Sequence, residues 1–449
     1  MPSPFLLSAD DSVALIDAEA GDTWTRARLA ETVARVARTL HSSRKEFVFC
    51  ACERDVGSVV GYLAAVAAGH AVLLTDRGAD AELAEALIER YQPRWILQSE
   101  GARVSVTERS PDPDAPEIYE ELTVLLSTSG TTGSPRLVRL ARRNVEANAA
   151  SIVEYLGIGS AERAIASLPI HYSYGLSVLN SHLAAGASIV LTRESIIRPQ
   201  FWEHARTYEC TSFAGVPYTY AILERTGLLR HHAPPTLQTL TQAGGRLAPE
   251  AVIELHDLMA SRGGRLFVMY GQTEATARIS YVPPDALPGK AGTIGIPIPR
   301  GELRVDDGEL VYRGPNVMLG YAQERADLAL GDELRGELRT GDLGRVDEDG
   351  FFVITGRSAR IAKVFGLRIN LDEVEAAARQ YGTVAALDGG DAVRLFVEGA
   401  GADPAEIRSR LATRMHVNPH AFDVRAIETL PTRASGKIDY AALEVGDAG

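Results

Sequence analysis

Leu125-Leu126-Ser127-Thr128-Ser129-Gly130-Thr131-Thr132-Gly133-Ser134-Pro135-Arg136 stands out first. Two apolar residues run into hydroxyls and glycines, and a proline and a cation close the run. It has almost nothing apolar to bury, so it cannot be core. Its glycines let backbone amides converge on an anion. Ser127, Thr128, Ser129, Thr131 and Thr132 add donors, and Arg136 adds a fixed charge with a planar fork of N–H groups. The stretch reads as a polyphosphate-binding loop after a strand over 122–126. No Gly-Lys-Ser/Thr follows, so it is not a Walker A loop. A flexible polar linker is the plain alternative. It is disfavoured because an apolar strand leads in and a helical pattern, 144–155, follows.

Outward from this loop, residues 1–120 alternate helix-like and strand-like segments. A helix is expected over 24–40 with Thr23 as cap, then strand 47–50, helix 58–68, strand 71–75, helix 79–91 and strand 95–97. Such alternation predicts an α/β fold with parallel sheets covered by helices. On the other side come strand 163–167, helix 176–184, strand 187–191 and the strand-turn segments 211–217, 240–245 and 266–274. Short β segments with glycine turns over 294–352 predict a distorted barrel. A basic, hinge-like stretch, 357–368, precedes helix 371–379 capped by Asn370, strand 392–398 and helix 404–415. That end of the chain reads as a small α+β domain.

The composition is compatible with this layout. At 449 residues the chain is too long for one ordinary core. With 45% hydrophobic and 23% charged residues it has a globular balance. A net charge of -13 argues against a general nucleic-acid binder, though a nucleotide site needs only a few cations and amides. Cys50, Cys52 and Cys210 supply neither a disulfide framework nor a four-ligand zinc site. The run around Cys50-Ala51-Cys52 reads as a buried strand rather than a redox pair. Met1-Pro2-Ser3-Pro4 lacks a signal-peptide pattern, and no apolar run reaches the ~20 residues of a membrane span. A cytoplasmic location away from membranes is expected.

The loop resembles the Ser-Gly-Thr-Thr-Gly-x-Pro-Lys signature of the adenylate-forming superfamily, which includes acyl- and aryl-CoA synthetases, peptide-synthetase adenylation domains and luciferases. Further segments resemble that family's motifs in its order. Tyr270-Gly271-Gln272-Thr273-Glu274 resembles Tyr-Gly-x-Thr-Glu, which implies Tyr270 against adenine, Thr273 on the α-phosphate and Glu274 on Mg²⁺. By itself Glu274 would read as a solvated carboxylate at a helix start. Thr340-Gly341-Asp342 resembles the family's Thr-Gly-Asp, implying that Asp342 binds the ribose hydroxyls; alone it would be an ordinary turn. Thr355-Gly356-Arg357 implies that Arg357 contacts ribose or phosphate. Pro431-Thr432-Arg433-Ala434-Ser435-Gly436-Lys437 implies that Lys437 bridges the attacking carboxylate and the α-phosphate.

The resemblance implies a large adenylation domain over 1–356 and a small mobile domain over 357–449, rotating about a hinge near 357–360. It implies ATP and Mg²⁺, attack of a small aryl or acyl acid on the α-phosphate, release of pyrophosphate, and transfer of the acyl group to CoA or to carrier-protein phosphopantetheine. Positioning and charge stabilisation carry the first step without a protein nucleophile. His171 stands where family members carry a histidine or aromatic beside the substrate carboxylate; a buried structural histidine is the alternative. Gly244 and Gly245 match a turn lining both the acid pocket and the adenine. Tyr172, Ser173, Tyr174, Ala214 and Gln242 are pocket candidates by position. Arg278 meets a polar substrate group or lies on the surface.

The chain departs from the pattern in places. Arg136 replaces the usual lysine and Leu137 the usual glycine. Ala359 stands at the pivot where Asp or Lys is common, which leaves the thiol half-reaction open. Two other uses of the fold stay on the table. One spends the adenylate without a thiol, in amide formation or in nitrite activation for diazotising an aryl amine. The other is a catalytically degenerate nucleotide-binding protein, disfavoured by the joint presence of Glu274, Asp342 and Lys437.

Overall fold

A computed structural model describes residues 3–5, 8–78, 81–110, 114–127, 136–357, 360–364, 367–399, 403–415, 417–432, 438–440 and 442–443. The chain divides into two compact units, Met1–Leu303 with Tyr312–Leu338, and Arg304–Val311 with Arg339–Gly449.

Among the described residues, the first unit holds two large sheets. One runs in the order Gly320–Ala322, Leu137–Ala141, Leu122–Ser127, Ala71–Asp76, Phe47–Cys52, Trp95–Glu100, Arg103–Glu108. Its middle strands are parallel and its outer pairs antiparallel. The strand Phe47–Cys52 shows why its sequence is nearly all apolar. Val48, Cys50 and Cys52 enter one core, while Phe47, Phe49 and Ala51 enter another with Leu87 and Tyr91. Period-two alternation with both faces covered demands an unbroken apolar run. Both cysteines are free and buried, as the strand reading expects, and burial pushes the Cys52 thiol up.

The other sheet runs Ile296–Pro297, Ser280–Val282, Arg265–Tyr270, Thr239–Gln242, Ser212–Gly215, Arg163–Ile165, Ser188–Leu191, Val13–Asp17, Asp22–Thr25. Leu29, Leu63, Leu176 and Leu183 share one core with strands of both sheets. The helices that carry them, Arg26–Thr39, Val56–Ala67 and Ser173–Ala184, therefore lie between the sheets. The mixed α/β architecture is the one expected.

Several local expectations change. The first helix starts at Arg26 rather than Trp24, because Trp24 belongs to the strand Asp22–Thr25. Thr25, not Thr23, is the cap: its Oγ1 accepts from the Arg28 amide at 3.1 Å. Asp55 starts the next helix at Val56 by accepting from the Ser58 amide at 2.9 Å. The helix expected from 176 already begins at Ser173. Most consequential is Leu137–Ala141, which pairs antiparallel with Leu122–Ser127. The hydroxyl-rich run is thus flanked by two strands of a hairpin, and the helix Arg142–Leu156 comes only after the return strand.

In the second unit, the short strands Glu302–Asp306, Glu309–Arg313, Glu337–Val346 and Phe352–Arg357 form a sheet in sequence order, most of it in this unit. The stretch read as a basic hinge contains a hairpin, Ile361–Val364 with Leu367–Asn370. Asn370 caps the helix Leu371–Ala378 as expected, its Oδ1 accepting from the Asp372 amide at 3.0 Å. Helix Pro404–Met415 occupies the expected residues. Both helices pack on the strands Val384–Asp388, Val393–Glu398 and Phe422–Ile427 through Val374, Ile407, Leu411, Leu395 and Phe422.

Candidate active site

Strand Arg265–Tyr270 runs parallel to Thr239–Gln242 and antiparallel to Ser280–Val282. The chain must therefore reverse between Tyr270 and Ser280, and it does so in a tight turn built from the Gly271-Gln272-Thr273-Glu274 motif. Gly271 is required sterically: a Cβ there would stand 2.1 Å from the Ala277 carbonyl. Thr273–Ala275 forms one 3₁₀ turn, after which Thr276 and Ala277 adopt φ of 53° and 94°. Left-handed backbone at two non-glycine residues costs on the order of 1–3 kcal/mol each, so something must hold it.

That something is Asn316, which no sequence pattern pointed to. It is 1% exposed. Its Nδ2 donates to Ala275 O at 2.7 Å and to Arg278 O at 2.8 Å, while its Oδ1 accepts from the Tyr312 hydroxyl at 2.8 Å. The Thr276 hydroxyl donates to the Asn316 carbonyl at 2.6 Å. Every polar atom of the Asn316 side chain is engaged, and the turn is fixed across its strained residues.

The turn presents two side chains to neighbours in the same unit. Thr273 Oγ1 lies 3.1 Å from Ser173 Oγ at the start of its helix. Glu274 Oε1 accepts from the Tyr321 hydroxyl at 2.8 Å. Burial, reinforced by Glu274, pushes the Tyr321 phenol up, so it remains a donor. Tyr321 sits opposite Val138 in the sheet, and the Arg136 guanidinium lies 4.5 Å from the centre of its ring. Arg136 and Ser127 are therefore anchored at the hairpin end beside the strand that reaches Glu274. Thr128, Ser129, Gly130, Thr131, Thr132 and Gly133, expected to bind phosphate, lie outside the described residues.

A second group surrounds helix Ser173–Ala184. Gln242 is buried and its Nε2 donates to Gly245 O at 2.9 Å, closing the turn through Gly244 and Gly245. Gly244 has φ of +81°, and a Cβ on it would meet the Tyr172 hydroxyl at 2.5 Å. The glycine therefore admits the tyrosine. Tyr172 and Tyr174 rings meet edge to face at 6.3 Å, and the Tyr174 hydroxyl lies 2.8 Å from Thr241 Oγ1. Ala214 and Arg278 line one cavity of about 30 Å³, together with Ile152, Leu156 and Met269. Arg278 is buried, so the surface-arginine alternative is wrong. His171 is partly buried, and its Nδ1 has no hydrogen-bond partner among the described residues. Burial lowers its pKa, with Asp76 opposing, so the neutral ring is favoured. Tyr270 ends its strand, half-buried.

In the second unit, Asp342 is buried and pairs with Arg357, Nε to Oδ1 at 3.0 Å, across the two strands that set the residues opposite each other. The Gly341 amide donates to Glu309 at 2.9 Å, holding the turn. Lys437 and Ala359 lie outside the described residues.

Comparisons with known proteins agree with the motifs. Residues 8–322 match the model of the AMP-binding enzyme family. The chain is 30% identical over 360 residues to a sulfoacetate–CoA ligase of Cupriavidus necator, covering 74% of this chain and 67% of that one. It is 27% identical to an isonitrile lipopeptide synthase of Streptomyces coeruleorubidus, covering 94% of this chain but only 32% of that longer one. In fold it is similar to the o-succinylbenzoate CoA synthetase of Bacillus subtilis, solved with an acyl-adenylate intermediate. There the TM-score is 0.77 at 22% identity, over 97% of this chain and 95% of the other. With the family model covering most of its length and the motifs in order, the chain belongs to the AMP-binding enzymes, the adenylate-forming superfamily.

Proposed function

We propose that this chain activates a small acid with ATP and then hands the acyl group to a thiol. An oxygen of the acid's carboxylate attacks the α-phosphorus, the bond to the β-phosphate oxygen breaks, and pyrophosphate leaves; the product is a mixed anhydride with AMP. The observation that carries the reading is the line Arg136–Tyr321–Glu274, which ties the end of the hydroxyl-rich run to the Thr273–Glu274 turn. A triphosphate needs those two elements together.

In this reading Thr273 donates to the α-phosphate, and Ser127 to Gly133 with Arg136 hold the outer phosphates. Tyr270 borders the adenine, Gly244 and Gly245 border both the adenine and the acid, and His171, Tyr172, Ser173, Tyr174, Ala214 and Gln242 border the acid. Glu274 is suited to a Mg²⁺ that arrives with the nucleotide. One of its oxygens is held by Tyr321, and the other takes no donor among the described residues. A hard dication bound through one carboxylate plus phosphates suits such a donor set. Mg²⁺ there would neutralise polyphosphate charge. Asp342 is assigned to the ribose, Arg357 to ribose or phosphate, and Lys437 to the charge that builds between the carboxylate and the α-phosphate. The working division remains an adenylation domain over 1–356 and a mobile domain over 357–449.

The test is ATP–pyrophosphate exchange over a panel of acids, followed by thioester formation with CoA and with a phosphopantetheinylated carrier protein. Lys437→Ala should lower exchange by orders of magnitude while ATP still binds; an unchanged rate removes that lysine from the scheme. Ala359 at the pivot motivates a second reading, in which an amine or nitrite accepts the acyl or adenylyl group. AMP formation with those acceptors, and none with either thiol, would favour it.

A further inference from the structure

We propose that Arg278 recognises a second anionic group on the acid, so that the substrate is a short acid carrying two negative charges. This rests on the adenylation reading above and narrows its substrate class. Arg278 is 2% exposed. Its guanidinium carbon lies 4.2 Å from the centre of the Tyr174 ring, Nη1 donates to Ala277 O at 3.1 Å, and Nε has no partner among the described residues. No carboxylate among the described residues pairs with it. Glu162 lines the same cavity but accepts from the Thr211 hydroxyl at 2.5 Å and makes no ion pair with Arg278.

His182 does not supply the missing charge. It is buried, with Nδ1 2.8 Å from Val178 O and Nε2 3.3 Å from Ser212 Oγ, the pattern of a neutral ring with one donor and one acceptor. Buried charges are normally paired, and stacking on a desolvated aromatic ring offsets only part of the cost of burying one without a partner. Among the described residues the site is therefore one counter-ion short, and a ligand anion would supply it.

Arg278 is also aimed rather than loosely packed. Its carbonyl is held by Asn316 and the two residues before it are left-handed. The same clamped turn carries Thr273 and Glu274, so one rigid element would set the α-phosphate and the far end of the acid relative to each other. A cavity of about 30 Å³ holds roughly two waters. That suits a carboxylate or sulfonate end and is too small for an aryl ring. On its wall the Ser177 and Ser212 hydroxyls already donate to Tyr174 O and His182 Nε2, whereas the Thr241 hydroxyl can accept from Tyr174 and donate to an anion oxygen.

The experiment compares ATP–pyrophosphate exchange with malonate, succinate and 3-sulfopropanoate against butanoate, pentanoate and benzoate. The wild type should favour the dianions by about 100-fold or more in kcat/KM, as a site with an otherwise unpaired polar group does. Arg278→Gln should raise KM for the dianions by ~100-fold and leave the monoacids unchanged or improved, and Arg278→Lys should fall between. An ATP-induced shift in melting temperature equal to wild type shows each variant folded. If the wild type, which needs no variant, uses butanoate as well as malonate, the second-anion proposal is overturned while adenylation stands. Equal loss on both acid classes in Arg278→Gln overturns it too. If no acid supports exchange although ATP binds, the adenylation reading fails and takes this one with it.

Discussion

Replacing Asn316 by alanine deletes three hydrogen bonds from one buried turn. They are the donations to Ala275 O at 2.7 Å and Arg278 O at 2.8 Å, and the acceptance from Tyr312 at 2.8 Å. At ~1 kcal/mol net each the loss is about 3 kcal/mol, rising towards ~5 because Arg278 O and the Tyr312 hydroxyl are left buried without partners, whereas Ala275 O keeps the Arg278 amide at 3.3 Å. That is a large share of the ~5–15 kcal/mol that holds a typical protein folded. Thr276 and Ala277 would also relax from φ of 53° and 94°, moving Thr273, Glu274 and Arg278. A displacement of about 1 Å costs ~100-fold in rate. Denaturant unfolding and ATP–pyrophosphate exchange on one preparation, at a temperature where the variant is folded, measure both effects. Adding Tyr312→Phe to Asn316→Ala removes the orphaned hydroxyl and should recover ~1 kcal/mol without restoring exchange. A stability loss below ~1 kcal/mol with exchange within about twofold of wild type would refute the argument that this side chain sets the turn.

Other expectations are independent of that one. Glu274→Gln keeps an acceptor for Tyr321, so stability should move by less than ~1 kcal/mol while exchange drops at least ~100-fold; full activity would remove Glu274 from the phosphate site. Gly244→Ala places a Cβ 2.5 Å from the Tyr172 hydroxyl at φ of +81°. It should cost about 1–2 kcal/mol and raise KM for the acid more than for ATP, and equal effects on both would place Tyr172 outside the acid site. Burial holds His70, His171 and His182 below the ordinary histidine range. Below about pH 6.5 the unfolded chain then binds more protons than the folded one, so stability falls as pH drops, by up to ~1.4 kcal/mol per pH unit for each histidine that stays neutral. Melting midpoints from pH 7.5 to 5.5 should decline, and His182→Gln should flatten the slope. A midpoint constant across that range contradicts the neutral assignments.

Much of the site was legible because its chemistry is local. Tyr270 to Glu274 is a turn whose glycine and hydroxyl roles are played within a few residues, and Gln242 to Gly245 closes on itself. The motifs assign Asp342 to the ribose and Arg357 to ribose or phosphate independently, yet the two face each other across a strand pair and form an ion pair. Strand register made that meeting, and neither motif contains it. Leu137–Ala141 was missed because five residues, Leu-Val-Arg-Leu-Ala, carry too short a pattern to separate a return strand from the start of a helix.

Sequence alone was enough for the alternation of strands and helices, the order of the motifs and the family they identify, because periodicity and short turns are properties of neighbouring residues. Only the folded chain could bring Asn316 to a turn 41 residues away, set Tyr321 between Arg136 and Glu274, and bury Arg278 with no counter-ion among the described residues. Those pairings are made by sheet register and packing between segments remote in the chain, and no local pattern records which remote segment a side chain will meet.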